Sequence, residues 1–493
     1  MRALTNICKE INAYELLMEQ WKVNPKKVCQ IAGCVGSQQV HFMNGIADEF
    51  DYTVIVTYDD RRAKEMCEDF RLYTKDVVLY PAKDFLFLNA EVHGYMTARG
   101  RIATIQRLVE DRHCVIVTTI DALMDELVPY SVLESHIQHL QVGDIIDLEA
   151  FTKILVSMNY ERVSQVQSTG QFAVRGGIID IFLLNQDNPV RIELWDDEIN
   201  MLKGFDVESQ RYFEEYDEVY IYSATEYILD KGTICEGTKK IRKEMEAVEN
   251  KFRKEMKTEE AHRIKTFVKE FVEQLELGSH MVAVDSYLKY FYEKTETFMD
   301  YLAGKNVVYL LDEPARLEEK SNEVLEEFRQ SMMHRLEKGY VLPKQTDIIR
   351  SYENILAHIA DKPHAVFNML EQNVRHMDIE DTFTVNTKSI LAYNGQMDLL
   401  IKDLTSYKKK GYRVVILAGS KSKAEKFVKE LEEYGINAFT TEDEHRVLQE
   451  KEIMVCAGSS HQGFEYPMSK FAVISQTDIF WQRAGSKEGC KKA

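Results

Sequence analysis

Short runs of apolar, often β-branched residues alternate with amphipathic stretches over the first 125 residues or so. The runs are KVCQIAG, DYTVIVTY, DVVLYPA and HCVIVTTIDALM, and the stretch DDRRAKEMCEDFRLY between two of them has helical periodicity. Strands that are apolar at successive positions are typical of parallel sheets covered by helices on both faces. Residues 1–125 are therefore predicted to form the first part of a doubly wound α/β domain.

Alternation of apolar and polar positions begins near Gly143 and continues to Ala224. The segments RVSQVQ, QFAVRGGIIDIFL, VRIELWD and EVYIYSA follow this period of two, with Gly-Gly and Asn-Gln-Asp-Asn as breaks. Half-buried strands joined by such turn residues are typical of β-hairpins. We predict a small, mainly antiparallel β module over residues 126–224, inserted into the α/β domain.

The α/β pattern resumes after this module. Residues 234–278 form a highly charged helical stretch with acidic and basic residues at i,i+4 spacing, which favours a solvated helix pair over a coiled-coil contact. The apolar strand NVVYLLDEP and the long helix ARLEEKSNEVLEEFRQSMMHRL follow. Residues 225–350 are predicted to complete the domain, with the long helix leading out of it.

The last part of the chain is predicted to be a separate unit. Residues 351–383 are interpreted as a linker. Helix, strand and helix patterns in DLLIKDLTSYKKKGYRVVILAGSKSKAEKF, followed by the strands EIMVCAG and FAVISQTDIF, predict a small α/β domain over residues 384–482. The polar, basic end at 483–493 is interpreted as the start of a linker to further domains.

Composition narrows the possible functions. The 493 residues are 45% hydrophobic and 29% charged, as expected of a folded multidomain protein. The 62 basic and 81 acidic residues give a net charge of −19, which makes a protein a better expected partner than nucleic acid. No apolar run reaches the roughly 18 residues that span a bilayer, and the N-terminus lacks a signal-peptide core, so we expect no membrane contact and a cytoplasmic location. The eight cysteines form no CxxC pair, and no HExxH motif occurs, so no metal site is expected.

One loop has the frame of a phosphate-binding motif without its key residues. A working loop reads GxxxxGK[ST], in which the Lys neutralises phosphate charge and the Ser or Thr hydroxyl holds magnesium. In IAGCVGSQQVHF the frame begins at Gly33 and passes through Gly36 and Ser37, but Gln, Gln and Val stand where Gly, Lys and Ser or Thr belong, at Gln38, Gln39 and Val40. Without the Lys and the hydroxyl, this loop is not expected to bind ATP, so no cofactor is predicted.

The strand NVVYLLDEP ends in Asp312 and Glu313. An apolar strand with this ending is the expected form of the motif in which an Asp orients magnesium and a Glu activates water. The same pattern also occurs where a strand simply enters a turn. Together with the loop frame in the same domain, it indicates a RecA-like, P-loop-type fold with a degenerate ATP site.

Several stretches resemble the amino-terminal part of the bacterial transcription-repair coupling factors. They are YPAKDFLFLNAEVH, VIVTTIDALM, STGQFAVRGGIIDIF, RIELWDDEINMLKGFDVESQR and LLDEPARLEE. The resemblance covers most of the chain in order and is strongest between residues 75 and 215 and weakest between 350 and 400.

This resemblance implies a function. The first domains of the family look like the excision-repair protein UvrB, but their phosphate loop is degenerate. The inserted module is the part through which UvrB and the coupling factors compete for the damage sensor UvrA. The chain is thus expected to be a non-catalytic scaffold, similar to UvrB domain 2 in its inserted module, that recruits UvrA to stalled RNA polymerase. Contacts with RNA polymerase and double-stranded DNA, and the ATP-driven motor, are expected in further domains of the longer protein.

The family's UvrA-contacting residues correspond to Arg175, Arg191 and Trp195, the last a Phe in one family member. Arg and Trp are enriched at interface hot spots, and period-two geometry puts Arg191 and Trp195 on one face of their strand. The alternative is that both arginines pair internally with Asp180, Asp196 or Asp197. In the longer family members the UvrA surface is expected to be covered by a carboxy-terminal domain, so the present chain is expected to bind constitutively.

Two enzymatic or ligand-binding alternatives remain. The first is a UvrB-like, DNA-loading ATPase with a divergent phosphate loop, which would need a Lys from elsewhere in place of Gln39. The second is a nucleotide site in residues 384–482, where Gly419 and Ser420 lie between a strand and a helix. A helix N-terminus can bind phosphate, but an ordinary βα turn is the preferred interpretation.

Overall fold

The computed structural model describes residues 2–83, 91–277, 284–443 and 446–480. The predicted linker start at 483–493 and the centre of the YPAKDFLFLNAEVH stretch lie outside these residues. No helix among the described residues is both long enough and apolar enough to cross a membrane.

The first part of the chain alternates strands and helices, as the apolar runs predict. Its strands are β1 (Cys29–Ala32), β2 (Tyr52–Thr57), β3 (Val77–Tyr80) and β4 (Cys114–Thr119). Its helices are α1 (Arg2–Thr5), α2 (Asn12–Val23), α3 (Gly36–Ala47), α4 (Asp60–Phe70) and α5 (Glu91–Val109). Helix α4 begins where the Asp59 side chain accepts a hydrogen bond from the Arg62 N–H, which satisfies one of the free N–H groups of the first turn.

The inserted module begins with α6 (Tyr130–His136). It continues with β5 (Gln138–Gln141), α7 (Leu148–Ser157), β6 (Glu161–Arg162), β7 (Gln171–Arg175), β8 (Ile178–Ile181), β9 (Val190–Trp195), β10 (Glu198–Phe205), β11 (Tyr212–Tyr216) and β12 (Glu218–Ile221). Six of these strands form one sheet in the order β11-β10-β9-β8-β7-β6, antiparallel except for the β6 and β7 pair. The mainly antiparallel character follows from the hairpin turns in the sequence.

The chain then returns to the α/β domain. Helices α8 (Lys231–Lys254) and α9 (Thr258–Leu277) form a hairpin whose apolar face packs on Tyr287, Phe291 and Leu342. Next come α10 (Leu288–Phe291), β13 (Val307–Asp312), α11 (Pro314–Glu337), α12 (Tyr352–Ile359), β14 (His364–Asn368) and β15 (Asp381–Thr384).

The large sheet has seven parallel strands in the order β15-β1-β14-β13-β2-β4-β3. Alternate residues of its central strands enter two different cores: Val54 and Val56 of β2 join one cluster, and Ile55 joins the other. Both faces are therefore covered, which explains why β2, β4 and β13 are buried at every position and mostly apolar. The predicted α/β class with a parallel-sheet domain and a small antiparallel module is confirmed.

The interpretation of residues 351–383 as a linker is wrong. Strand β14 lies between β1 and β13 in the middle of the large sheet, and β15 forms its edge. Helix α11 does not lead out of the domain, because the chain after it returns through α12 to β14. The strand HAVFN is buried at every position, but it has only five residues and its two ends are polar. The sequence pattern therefore does not indicate a central strand.

The last unit contains a five-stranded sheet in the order β16-β19-β20-β17-β18. Its elements are β16 (Lys388–Ser389), α13 (Met397–Lys410), β17 (Arg413–Leu417), α14 (Lys421–Glu433), β18 (Ile453–Cys456), β19 (Phe464–Tyr466), β20 (Phe471–Ser475) and α15 (Gln476–Ile479). One face is covered by α13 and α14. Residues of the other face, including Val415 and Phe471, share a core with the first helices of the chain. The C-terminal unit is thereby docked against the phosphate-loop side of the α/β domain.

Candidate functional site

The loop after β1 has the backbone form of a tight strand-to-helix turn. Gly33 and Gly36 both have positive φ, at 88° and 56°, and α3 begins at Gly36. A Cβ atom on Gly33 would lie 2.5 Å from the carbonyl oxygen of Val385. The Val385 N–H donates to the Ala32 carbonyl at 2.8 Å, so the segment entering the C-terminal unit runs against the loop.

Gln39, at the position of the missing Lys, is turned towards the end of β13. Its Nε2 donates to Asp312 Oδ1 at 2.7 Å, while Thr57 Oγ1 donates to Asp312 Oδ2 at 2.8 Å. The Arg62 guanidinium supplies the charge: its Nε lies 3.3 Å from Asp312 Oδ2 and its Nη2 donates to Gln39 Oε1 at 2.9 Å. The acid of the strand-end motif is thus neutralised from within the protein. Nothing in the spacing of Arg62 links α4 to β13, so its place beside Asp312 is not predictable from the sequence.

Glu313 also makes hydrogen bonds within the protein. It has a left-handed backbone, with φ of 51°, and precedes the Pro at the start of α11. Its Oε1 accepts the Met369 N–H at 2.8 Å, and its own N–H donates to the Phe367 carbonyl at 2.9 Å. This carboxylate ties the end of β14 to the start of α11.

Residues of the C-terminal unit lie over the remaining loop positions. Gln38 Nε2 donates to the Tyr466 hydroxyl at 2.9 Å, and its Oε1 accepts the Val35 N–H at 3.2 Å. Ser37 Oγ accepts the Gln462 N–H at 3.0 Å, and the Val40 side chain is fully buried. Ser37 and Gln38 therefore make contacts between the two units, whereas Gln39 is held within the α/β domain.

His41, one residue beyond the frame, lies in the same interface between the C-terminal unit and the α/β domain, which we call the joint. Its Nε2 lies 2.8 Å from the Leu4 carbonyl, and its Nδ1 lies 2.9 Å from the Tyr466 hydroxyl. Burial lowers the pKa of His41 to about 4, so the ring is neutral and can donate through one nitrogen only. Because a carbonyl only accepts, Nε2 donates to Leu4 and Nδ1 accepts from Tyr466.

In the inserted module, the two arginines share one carboxylate. Asp180 is buried on β8, and Arg191 on the neighbouring β9 donates to both of its oxygens, from Nε at 2.6 Å and from Nη2 at 2.9 Å. Arg175 on β7 donates to the same carboxylate. The hydrogen bond to Asp180 raises the pKa of Arg191 further above its usual range. Internal pairing, the alternative from the sequence, is therefore present for Arg175 and Arg191.

The two arginines differ in exposure. Arg191 is 8% exposed, and its guanidinium carbon lies 4.4 Å from the centre of the Phe205 ring. Arg191 Nη1 also donates to the Tyr212 hydroxyl at 3.1 Å. The Arg175 side chain is 43% exposed. Arg175 is available to a partner, whereas Arg191 organises the sheet beneath it.

Trp195 is 79% exposed at the end of β9, on the face opposite the buried Val190 and Ile192. Arg191 and Trp195 thus share the outer face of β9, as the period of two predicts. The structure places the arginines around Asp180 and leaves the indole at the rim of the same face.

Gly419 and Ser420 form an ordinary turn between β17 and α14. Gly419 has φ of 77°, and the Ser420 side chain caps the helix by accepting from the Lys423 N–H. Within the described ranges, no group of three His, Cys, Asp or Glu side chains is arranged to hold a metal ion.

The inserted sheet and its surroundings define a class of module. Residues 138–227 match the family model of the UvrB interaction domain. This match spans β5 to β12 and includes Arg175, Arg191 and Trp195.

The chain as a whole is similar to transcription-repair-coupling factors. It is 28% identical to the one from Bacillus subtilis over 460 residues, which are 93% of this chain and 38% of that protein. It is 27% identical over 436 residues to one from Staphylococcus epidermidis (87% and 36%) and 25% identical over 487 residues to one from Staphylococcus aureus (97% and 40%). The resemblance to the amino-terminal part of these factors is confirmed, and the chain spans less than half the length of these relatives.

Proposed function

We propose that the chain is a non-catalytic, UvrB-like scaffold that recruits UvrA in transcription-coupled nucleotide excision repair. The carrying observation is the match of residues 138–227 to the UvrB interaction domain, on a module that exposes Trp195 and Arg175 on one face. Exposed Trp and Arg side chains on one face are the composition of an interface hot spot. Recruitment to stalled RNA polymerase and movement on double-stranded DNA belong, in this proposal, to other regions of the longer protein.

We propose further that the phosphate loop neither binds nor hydrolyses ATP. Three observations support this. Gln39 replaces the Lys and hydrogen-bonds Asp312, Arg62 already neutralises that acid, and Val385 and Gln462 approach the loop backbone from the C-terminal unit. An incoming triphosphate would have to displace buried protein contacts and would meet no lysine at the loop.

Calorimetric titration of the chain with UvrA tests the recruiting role. We expect micromolar or tighter binding, and a loss of at least about 2 kcal/mol on Trp195→Ala, as for a hot-spot aromatic. Trp195→Phe should retain most of the affinity because it keeps the ring. A folded wild-type chain that fails to bind UvrA would contradict the proposal.

The same calorimeter tests the loop with ATP and magnesium. No heat of binding is expected for the wild type, and Gln39→Lys alone should not create binding, because the contacts from the C-terminal unit remain. Saturable ATP binding by the wild type would instead support the DNA-loading ATPase.

A further inference from the structure

A second exposed apolar residue lies on the outer face of the inserted sheet, close to Trp195. The segment before α7 extends this sheet beyond β10: Ile145 bridges to Glu198 in antiparallel register, and the Ile146 N–H donates to the Asp197 carbonyl at 2.8 Å. Glu198 in turn faces Trp195 across the β9 and β10 hairpin. Ile145, Glu198 and Trp195 thus occupy one row across three neighbouring segments.

Side-chain direction in this row follows from the burial of the flanking residues. Ile146 and Ile199 are buried in the module's core, so their neighbours Ile145 and Glu198 point to the outer face. Ile145 is 75% exposed and Trp195 is 79% exposed. Two interstrand spacings separate them, roughly 10 Å, which a single partner surface spans readily.

The apolar pair is bordered by negative charge. Asp196, Asp197 and Glu198 are consecutive and exposed, and Asp196 makes the hairpin turn with φ of 60°. Met201 of β10 pairs with Glu193 of β9, is 38% exposed and adds a third apolar side chain on the same face. Arg191, by contrast, is paired with Asp180 through two hydrogen bonds and is not a free cation at this surface.

We propose that Ile145 and Trp195 form a two-residue apolar anchor, and that UvrA receives this anchor in an apolar socket with a basic rim. The proposal rests on the UvrA-recruiting role proposed above and adds to it a residue outside the predicted contact set and the chemistry of the partner's surface. Acidic residues around exposed apolar side chains favour a cationic rim on the partner, since complementary charges steer association and fix register.

Titration of UvrA with Ile145→Ser tests the anchor. We expect affinity to fall at least tenfold, with an unchanged melting temperature because the side chain is exposed. Val156→Ser is the matched control: Val156 is also exposed, but it lies on α7, which packs against the opposite face of the sheet. The control should bind like the wild type.

The rim is tested with the double variant Asp196→Asn, Asp197→Asn, in which Asn tolerates the left-handed backbone of the turn. We expect slower association with UvrA at low salt and a weaker dependence of the association rate on salt. An unchanged association rate at every salt concentration would overturn the basic rim.

The outcomes separate this inference from the recruiting role. If the wild type binds, Trp195→Ala weakens binding and Ile145→Ser does not, the two-residue anchor is wrong and the recruiting role stands. If the wild type does not bind UvrA at all, both the recruiting role and the two-residue anchor are wrong.

Discussion

At the scale of single residues, two buried carboxylates are each paired with an arginine. Asp312 and Asp180 both lie on strands and are almost fully buried, and each is held by an arginine from a neighbouring element. A buried carboxylate without a cation is costly, so each arginine has a role in stability that is separate from any ligand.

Replacing Arg62 with Met should expose this role at Asp312. Part of the Arg62 side chain reaches solvent, so we expect a loss of about 2 kcal/mol in unfolding free energy, below the full cost of breaking a buried pair. Urea unfolding measures the loss. Asp312→Asn in the same chain should recover most of it, because an amide needs no cation. Arg61→Met, at an 88% exposed neighbour, is the control and should change stability by less than about 0.5 kcal/mol.

Arg191 and Arg175 should differ in the same way around Asp180. Arg191→Met removes a bidentate, nearly buried partner, and we expect the module to lose about 3 kcal/mol. Arg175→Met removes an exposed partner and should cost no more than about 1 kcal/mol. Native-state hydrogen exchange of the β8 and β9 amides measures both. Equal losses would mean that the two arginines support Asp180 equally. Because Arg191 variants are expected to be less stable, any defect in their binding must be compared with their loss of stability.

At the scale of elements, the strongly patterned segments were predictable and the weakly patterned ones were not. Strands β2, β4 and β13 are buried at every position and mostly apolar, and their apolar runs predict them. Strand β14 is not predictable in the same way, because its five residues begin with His364 and end with Asn368, and polar ends are not typical of a central strand. The loop frame identified the turn at Gly33, but the segment lying over it is distant in sequence and left no local signal.

The contact between this loop and the β15 to β16 segment can be tested at Gly33. Gly33→Ala would place a Cβ atom against the Val385 carbonyl in a left-handed backbone, so we expect a loss of about 3 kcal/mol from strain and overpacking together. Gly304→Ala is the matched control, since φ there is 79° but nothing lies within 4 Å of the new Cβ; it should cost about 1 kcal/mol. Thermal unfolding of the two variants compares them. Similar losses would show that the close approach at Gly33 carries no cost of its own.

At the scale of the whole molecule, the C-terminal unit is joined to the α/β domain through polar contacts set in an apolar core. Tyr466 of the C-terminal unit links the two, because its hydroxyl accepts a hydrogen bond from Gln38 and donates one to His41. The backbone N–H of His461 donates to Oδ1 of the buried Asp69 at 2.9 Å and extends this interface. Because the C-terminal unit contacts Ser37 and Gln38, the loop after β1 contributes to the assembly of the two units.

Acid should weaken this joint through His41. The pKa of His41 is about 4 in the folded protein and near 6.5 when unfolded, so between these values the unfolded chain binds the extra proton. Stability is therefore fully present above about pH 6.5 and falls as the pH drops towards 4, by about 2 kcal/mol between about pH 7 and about pH 5. Its close neighbours Cys8, Tyr73 and Tyr466 have raised pKa values and stay neutral in this window.

Hydrogen exchange of the β19 and β20 amides at these two pH values measures the effect, with the β9 amides of the inserted module as the internal reference. In His41→Gln, which can accept from Tyr466 and donate to the Leu4 carbonyl, the joint should be weaker at neutral pH but should lose the part of its pH dependence that comes from this ring. An equal pH dependence in wild type and variant would place the acid-sensitive group elsewhere in the molecule and leave His41 a purely steric part of the joint.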